Sequence, residues 1–365
     1  MASGRWAGTG LVVSLLLLSA CGSTGGGPSA TNDSAAAGGG ASAAAAAPSA
    51  DIKLDIKGTL TGKKICFGFQ ALETEFWAAG VKSISAALSS AGAQVIEYNS
   101  NEDANRQLEQ VKDCITQKVD GIIVIPQDGE SAVTIIGEAN KAGIPIGVFN
   151  RPPASDQNPA LVAVADNRSV SRETVQYLAD QSKKLGRKVQ PLIMVGDLGD
   201  PNAVERKNGF YDVVNANPDL FATPIEVETK WDATTAQQNL QSAVQANPNI
   251  DLLFTSSDFM YPQIRGVLSA IGKWKKIGED GHVFMGGVDG DNRACGLMKD
   301  GYVDATGVQD LFREAEDVVN GLIAAVGAGT KTPSQRFVDP GFALTQDNLQ
   351  TRANDMWGCV IAPPQ

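Results

Sequence analysis

Short apolar runs, each closed by a polar turn and followed by a stretch of helical periodicity, recur along most of the chain. Ile65-Cys-Phe-Gly-Phe69 ends at the polar turn Gln70 to Glu75, after which Trp77, Val81, Ile84 and Leu88 fall on one helical face. Val95-Ile96 precedes a helix with Leu108, Val111 and Ile115 in phase. Gly121 to Ile125, a helix around Ala132 to Ala142, and Ile144 to Phe149 repeat the unit. Asn150-Arg151-Pro152-Pro153 then stops the strand, because proline cannot donate to a ladder. Leu161 to Ala165 runs into Asp166-Asn167, and a second set begins. Its helices cover Ser169 to Leu185, the segment through Val213, one through Val244 and one through Ile271. Its strands are Pro191 to Val195, Ile225 to Trp231, Leu252 to Thr255, Val283 to Val288 and Tyr302 to Val308. A helix with Leu311, Ala315, Val318 and Leu322 in phase and a short β-like tail follow. Strands alternating with helices signify parallel sheets covered on both faces. Two such sets predict an α/β protein of two doubly wound parallel-sheet lobes with a cleft between them.

In open parallel sheets, ligands are held just past the carboxyl ends of the strands. The fullest such turn is Gly196-Asp-Leu-Gly-Asp-Pro, with Asn202 expected as the helix cap and Asp200, Asn202 and Arg206 projecting from it. Alone, this reads most simply as a capped helix with an Asp–Arg surface pair. The other strand ends change that reading: Gln70, Thr74 to Phe76, Asn150-Arg151, Trp231-Asp232, Ser257-Asp258, Asp289 and Gln309 stand at corresponding places. Trp77 lies on the core stripe of its helix, at least in part, while Phe76, one position off it, is freer to face the cleft. Aromatic rings cover C–H faces, and carboxylates, amides and guanidinium groups bond hydroxyls.

At 365 residues and 43% hydrophobic content, the chain has enough apolar material for two lobes. A net charge of -11 argues against nucleic acid as a partner. The single histidine, His282, sits beside an apolar run and reads as structural, which disfavours triad hydrolases and multi-histidine metal sites. No cofactor is expected: Gly58 to Lys64 lacks phosphate-loop spacing and precedes its strand. Met1 to Ala20 reads as an export signal, its apolar run Leu11 to Leu18 being shorter than the about 20 residues a bilayer requires. Gly22 to Ala50, almost wholly Gly, Ser, Ala, Thr and Pro, reads as a leash. The linker as a whole is placed at 21–58. Leu18-Ser19-Ala20-Cys21 resembles the lipobox of bacterial lipoproteins, which implies lipidation at Cys21 and anchoring to the outer face of the cell membrane.

From about Lys63 to Val360 the chain resembles the bacterial periplasmic sugar-binding proteins of the ribose and glucose/galactose type, which feed ABC importers. The resemblance rests on Gly196 to Arg206 and Gly287-Val288-Asp289-Gly290, with Phe149-Asn150-Arg151, Lys230-Trp231-Asp232 and Ser257-Asp258 in matching order. It implies a non-enzymatic binder, expected as a monomer, that captures a monosaccharide or sugar alcohol and delivers it to ABC permease subunits. Phe76 and Trp231 would sandwich the ligand. Asn150, Asp200, Asn202, Arg206 and Asp289 would bind its hydroxyls, with Gln70, Trp77 and Arg151 beside them. Thr74, Ser257 and Gln309 stand where the family varies or usually has other residues, and Val204 where ribose-type proteins have arginine; these leave the particular sugar open. The resemblance also implies three crossings between lobes, placed near Asp166-Asn167, Gln309-Asp310 and Pro333 to Pro340. That gives lobes of 59–166 plus 310–334 and 167–309 plus 335–365. Cys66 and Cys114 are expected as buried thiols, and Cys295 and Cys359 as a pair that an oxidising compartment could bridge. A receptor presenting a sugar-like signal to a membrane sensor is the alternative. A lactose-repressor-like regulator would need a DNA-binding headpiece where this chain has its expected export signal.

Overall fold

A computed structural model describes residues 53–361; the expected export signal, Cys21 and the leash from Gly22 to Ala50 lie outside the described residues. The first five strands are β1 (Lys64–Phe69), β2 (Gln94–Asn99), β3 (Gly121–Ile125), β4 (Ile146–Phe149) and β5 (Leu161–Ala165). Between them run α1 (Glu75–Ser90), α2 (Ala104–Thr116) and α3 (Gly129–Ala142). The second series comprises α4 (Asn167–Ser182), β6 (Pro191–Val195), α5 (Pro201–Ala216), β7 (Ile225–Glu228) and α6 (Ala233–Ala246). It continues through β8 (Leu252–Thr255), α7 (Tyr261–Ala270), β9 (Phe284–Asp289), α8 (Asn292–Lys299) and β10 (Ala305–Val308). Then come α9 (Leu311–Ala328), β11 (Gln335–Asp339), β12 (Phe342–Thr345) and a terminal helical turn, Trp357–Val360.

Two sheets result, ordered β11-β5-β4-β3-β1-β2 and β12-β10-β9-β8-β6-β7. Central strands are continuous apolar runs because helices cover both faces: every residue of β3 (GIIVI) and β6 (PLIMV) is buried. Burying each such Ile, Leu or Val side chain contributes roughly 1.5–3 kcal/mol. The edge strands β2 and β7 are only partly covered and carry Glu97, Glu226 and Glu228.

Helix α4 packs on β9, β10 and β12, while α9 packs on β4, β5 and α1. The chain therefore passes between the lobes at Asp166, at Gln309-Asp310 and at Pro340-Gly341. The last crossing corrects one expectation. Gln335–Asp339, assigned above to the second lobe, forms β11, which pairs in parallel with β5 and covers the edge of the first sheet. Pro340, with no N–H to donate, ends that strand, and β12 joins the second sheet antiparallel to β10.

A second correction concerns the cysteines. Cys66 on β1 and Cys114 on α2 are joined in a disulfide, because α2 lies against β1 with their Cα atoms 6.1 Å apart. The second lobe carries its own bridge, Cys295–Cys359, which ties α8 to the terminal turn.

Among the described residues aspartate caps seven helices: Asp103, Asp128, Asp166, Asp200, Asp232, Asp291 and Asp310 each accept a backbone N–H at a helix start. Asp200, with Pro201 after it, caps α5 in place of the expected Asn202. That substitution of roles frees the Asn202 side chain for the cleft. His282 is held between the Lys275 carbonyl (2.9 Å) and Asp304 (3.0 Å), a structural position.

Candidate functional site

A cavity of about 480 Å³ lies between the lobes at the carboxyl ends of their strands. The first lobe lines it with Gln70, Thr74, Phe76, Trp77, Asn150 and Arg151. The second contributes Asp200, Asn202, Arg206, Trp231, Ser257 and Asp289, and the crossing after β10 contributes Gln309. The residues collected at the strand ends are thus brought to one cavity, except Glu75 and Asp258, which with Val204 are outside its lining.

The polar floor is a closed ring of six side chains. Asn150 Nδ2 donates to Gln309 Oε1 (3.0 Å), and Gln309 Nε2 to Asp289 Oδ1 (2.7 Å). Asp289 Oδ1 pairs with Arg206 Nη1 (2.9 Å), and Arg206 Nε donates to Asn167 Oδ1 (2.6 Å). Asn167 Nδ2 donates to Asn202 Oδ1 (3.0 Å), and Asn202 Nδ2 closes the ring on Asn150 Oδ1 (3.2 Å). Two members, Asn167 and Gln309, sit at lobe crossings, so the ring spans the hinge. Arg206 Nη1 also reaches the Ser256 carbonyl at 2.6 Å, and Ser257 Oγ donates to Asp289 Oδ2. Arg206 and Asp289, at 4% and 6% exposure, are therefore a buried ion pair as well as cavity lining. Burial pushes the Asp289 carboxyl above its usual range, while the Arg206 charge and the bonds from Ser257 and Gln309 pull against it.

Arg151 works differently. Its guanidinium is fixed within its own lobe by Gln70 Oε1 (2.9 Å) and the carbonyls of Pro126 and Gln127, yet its Nε donates to Asp200 Oδ2 of the other lobe at 2.8 Å. Asp200 also accepts from Trp231 Nε1 (3.2 Å). With Asn202 Nδ2 to the Asn150 carbonyl (3.0 Å) and Gly129 N to the Gly199 carbonyl (3.2 Å), these bonds hold the lobes closed.

Aromatic rings form the walls. Trp231 crosses the end of β6 because residue 196 is glycine: a Cβ there would lie 2.2 Å from the indole. Phe76 is more buried than the helix stripe implied, packed on Phe149 (6.5 Å) and edge-on to Trp357 (5.9 Å), whereas Trp77 lies half-buried beneath Arg151 (5.1 Å). Phe259, 6.4 Å from Trp231, adds a wall that strand-end reasoning did not name.

Backbone strain gathers here. Of the seven described non-glycine residues with positive φ, five line the cavity: Glu102, Asn150, Lys230, Trp231 and Asp289. Such conformations cost of order 1–3 kcal/mol each and cluster where side chains must be aimed. Sequence reasoning also passed over Glu314, whose carboxylate accepts from Asn150 Nδ2 at 3.0 Å beneath the ring. Burial pushes it well above the usual carboxylate range, with the Asn150 bond opposing. The signal was present: Glu314 lies in phase with Leu311 and Val318 on an otherwise apolar stripe. Among the described residues, no cluster of His, Cys, Asp and Glu is arranged to hold a metal ion. No described helix is long and apolar enough to cross a membrane.

Comparison with known proteins agrees with this geometry. Residues 65–331 match the family model described as a periplasmic binding protein domain. The ribose import binding protein of Bacillus subtilis is 26% identical over 261 residues, covering 68% of this chain and 79% of the relative. The xylitol-binding protein of Mycolicibacterium smegmatis is 26% identical over 285 residues, covering 71% and 78%. Among solved structures, an ABC transporter solute binding protein from Bacillus halodurans with bound myo-inositol superposes with a TM-score of 0.70 at 24% identity, covering 82% of this chain and 99% of the other. Two doubly wound lobes, a three-strand hinge, a cavity at the strand ends and a family match across most of the chain lead to one assignment: the chain belongs to the periplasmic binding protein family.

Proposed function

We propose that this chain captures a neutral monosaccharide or sugar alcohol in its cleft outside the cytoplasm and delivers it to an ABC permease. The observation that carries this reading is the charge arrangement of the cavity. Seven carboxylates line it (Glu73, Glu102, Asp128, Asp197, Asp200, Asp232, Asp289) against three cations (Arg151, Arg206, Lys230), and both guanidinium groups are paired to Asp200 and Asp289. An anionic ligand would meet net negative charge and find its arginines already committed. A neutral polyol needs what is there: amides and paired ions for hydroxyls, and Phe76, Trp77 and Trp231 for C–H faces. The ligands named for the relatives, ribose and xylitol, are of this class. Arg206, Asp289, Asn150, Asn202 and Asp200 are the hydroxyl-binding set in this reading.

A melting screen tests it. D-ribose, xylitol and myo-inositol form the neutral panel, with D-glucuronate, leucine and AMP against them. A neutral ligand at 100 times its dissociation constant should add roughly 2.7 kcal/mol of stability. A screen in which only leucine, AMP or glucuronate raises the melting temperature would overturn the reading. Tethering through a lipid on Cys21 belongs to the same proposal, motivated by Leu18-Ser19-Ala20-Cys21. In a bacterial host, Cys21→Ala should move the protein from the membrane to the soluble fraction, and unchanged membrane association would refute the anchor.

A further inference from the structure

Outside the cavity, the two lobes meet again at the start of α8, where carboxylates from opposite lobes converge on one helix terminus. Asp291 caps α8 from its own lobe, Oδ1 accepting from Ala294 N at 2.7 Å. Glu75, the first residue of α1 in the other lobe, reaches across and accepts from Asn292 N at 3.1 Å through Oε2. Its Oε1 lies 3.7 Å from Arg293 Nη2. The contact is seated rather than superficial: Asp291 is 2% exposed, and the Glu75 side chain 15%. Asn292 Nδ2 is tied to the Gly358 carbonyl (2.9 Å), so the terminal turn that carries Trp357 onto Phe76 belongs to the same junction. Neither Glu75 nor Asp291 lines the ligand cavity.

We propose that Glu75 and Asp291 form a proton-sensitive latch between the lobes, which favours the closed form when Asp291 is protonated and releases it when Asp291 is ionised. A helix N-terminus holds one carboxylate readily, but two ionised carboxylates on one buried terminus repel. The groups facing Asp291 are Asp258, Tyr261, Asp289 and Arg293 from its own lobe, and Glu75. The terminal turn adds no titratable side chain. Glu75 alone among these belongs to the other lobe, so opening changes the field at Asp291 chiefly by withdrawing Glu75 and admitting water.

The sign follows. In the closed form, burial first and Glu75 second push the Asp291 carboxyl up to about 7. Withdrawing Glu75 on opening would lower it toward the ordinary carboxylate range. Closing therefore takes up a proton. The closed-to-open ratio is highest at low pH, falls as pH rises through the window between those two values, and levels off above about 7. With Asp291 protonated, Glu75 accepts from Asn292 N and faces Arg293 with no carboxylate charge on Asp291 opposing it.

Small-angle scattering of the full, ligand-free chain from pH 5 to pH 8 tests the latch without reference to any sugar, so its failure and failure of the ligand assignment are separate results. The wild-type protein should expand with rising pH, its closed-to-open ratio falling at least tenfold. Asp291→Asn keeps a good helix cap and Glu75→Gln keeps an acceptor, while each removes one charge. Asp291→Asn should stay compact at pH 8, and Glu75→Gln, which removes only the second cause, should expand less than the wild type, with unfolding midpoints at pH 5 showing that both are folded. Wild-type scattering that does not change with pH, or an Asp291→Asn protein that expands as the wild type does, would overturn the proposal.

Discussion

The two lobes share a strand order and differ in where their charged site groups find partners. In the second lobe, Arg206 and Asp289 are paired with each other and supported by Ser257, the Ser256 carbonyl and Asn167. That arrangement needs nothing from across the cleft. In the first lobe, Arg151 is aimed by its own lobe's Gln70 and carbonyl groups, but its carboxylate partner, Asp200, stands in the other lobe. The second lobe therefore presents a preformed polar surface, whereas the first lobe completes its electrostatics only on closure. The Arg206–Asp289 pair is complete within one lobe, whereas the Arg151–Asp200 pair forms between the two.

The largest effect that would break this comparison comes from the second-lobe pair. Removing one partner of a buried ion pair leaves an uncompensated charge, typically costing about 3–5 kcal/mol. Arg206→Ala or Asp289→Ala should thus lower the stability of the unliganded protein, read by denaturant unfolding, as well as abolish tight binding. A fully stable Asp289→Ala protein would show that the pair is not the support it looks like in the closed structure.

Next come the disulfides, one in each lobe. Removing either should cost about 2–4 kcal/mol of stability. The lobes should differ in a second readout. Replacing Cys66 and Cys114 with alanine should leave ligand affinity unchanged, because that bridge joins β1 to α2 inside one lobe. Replacing Cys295 and Cys359 should weaken affinity, because the terminal turn it holds presses Trp357 onto Phe76 across the cleft. Equal affinities in the two double variants would remove the terminal turn from the account.

The smallest effect is on Arg151. Its pair with Asp200 exists only when the lobes are closed, so Arg151→Ala should lower affinity about tenfold, equivalent to ~1.4 kcal/mol. The loss of unliganded stability should be smaller than for Arg206→Ala. A stability loss as large as that of Arg206→Ala would erase the distinction between the lobes.

Much of this was written in the sequence as position and little of it as partnership. The alternation of apolar runs and helical stretches marks the strand ends, and collecting polar residues there finds the lining of the cavity. Spacing cannot say which of two neighbouring polar residues caps a helix, and Asp200 rather than Asn202 does so because its carboxylate accepts from the Asn202 N–H. Nor can it show that Cys66 and Cys114 face each other, or that the short run at Gln335 covers the first sheet rather than the second; both depend on packing between distant segments. The strained conformations of Asn150, Trp231 and Asp289 are likewise imposed by tertiary contacts and leave no mark on composition. Glu314 was the exception, a carboxylate on an apolar helix face that spacing alone could have found.

The central claim is that a cleft with a committed, net acidic lining binds neutral polyhydroxylated ligands. Calorimetric titration of the purified protein with D-ribose, xylitol, myo-inositol and D-glucuronate tests it most directly. The account predicts saturable one-to-one binding of at least one neutral compound, lost in Asp289→Ala, and no binding of glucuronate. Tight binding of glucuronate with the three neutral compounds silent would contradict it.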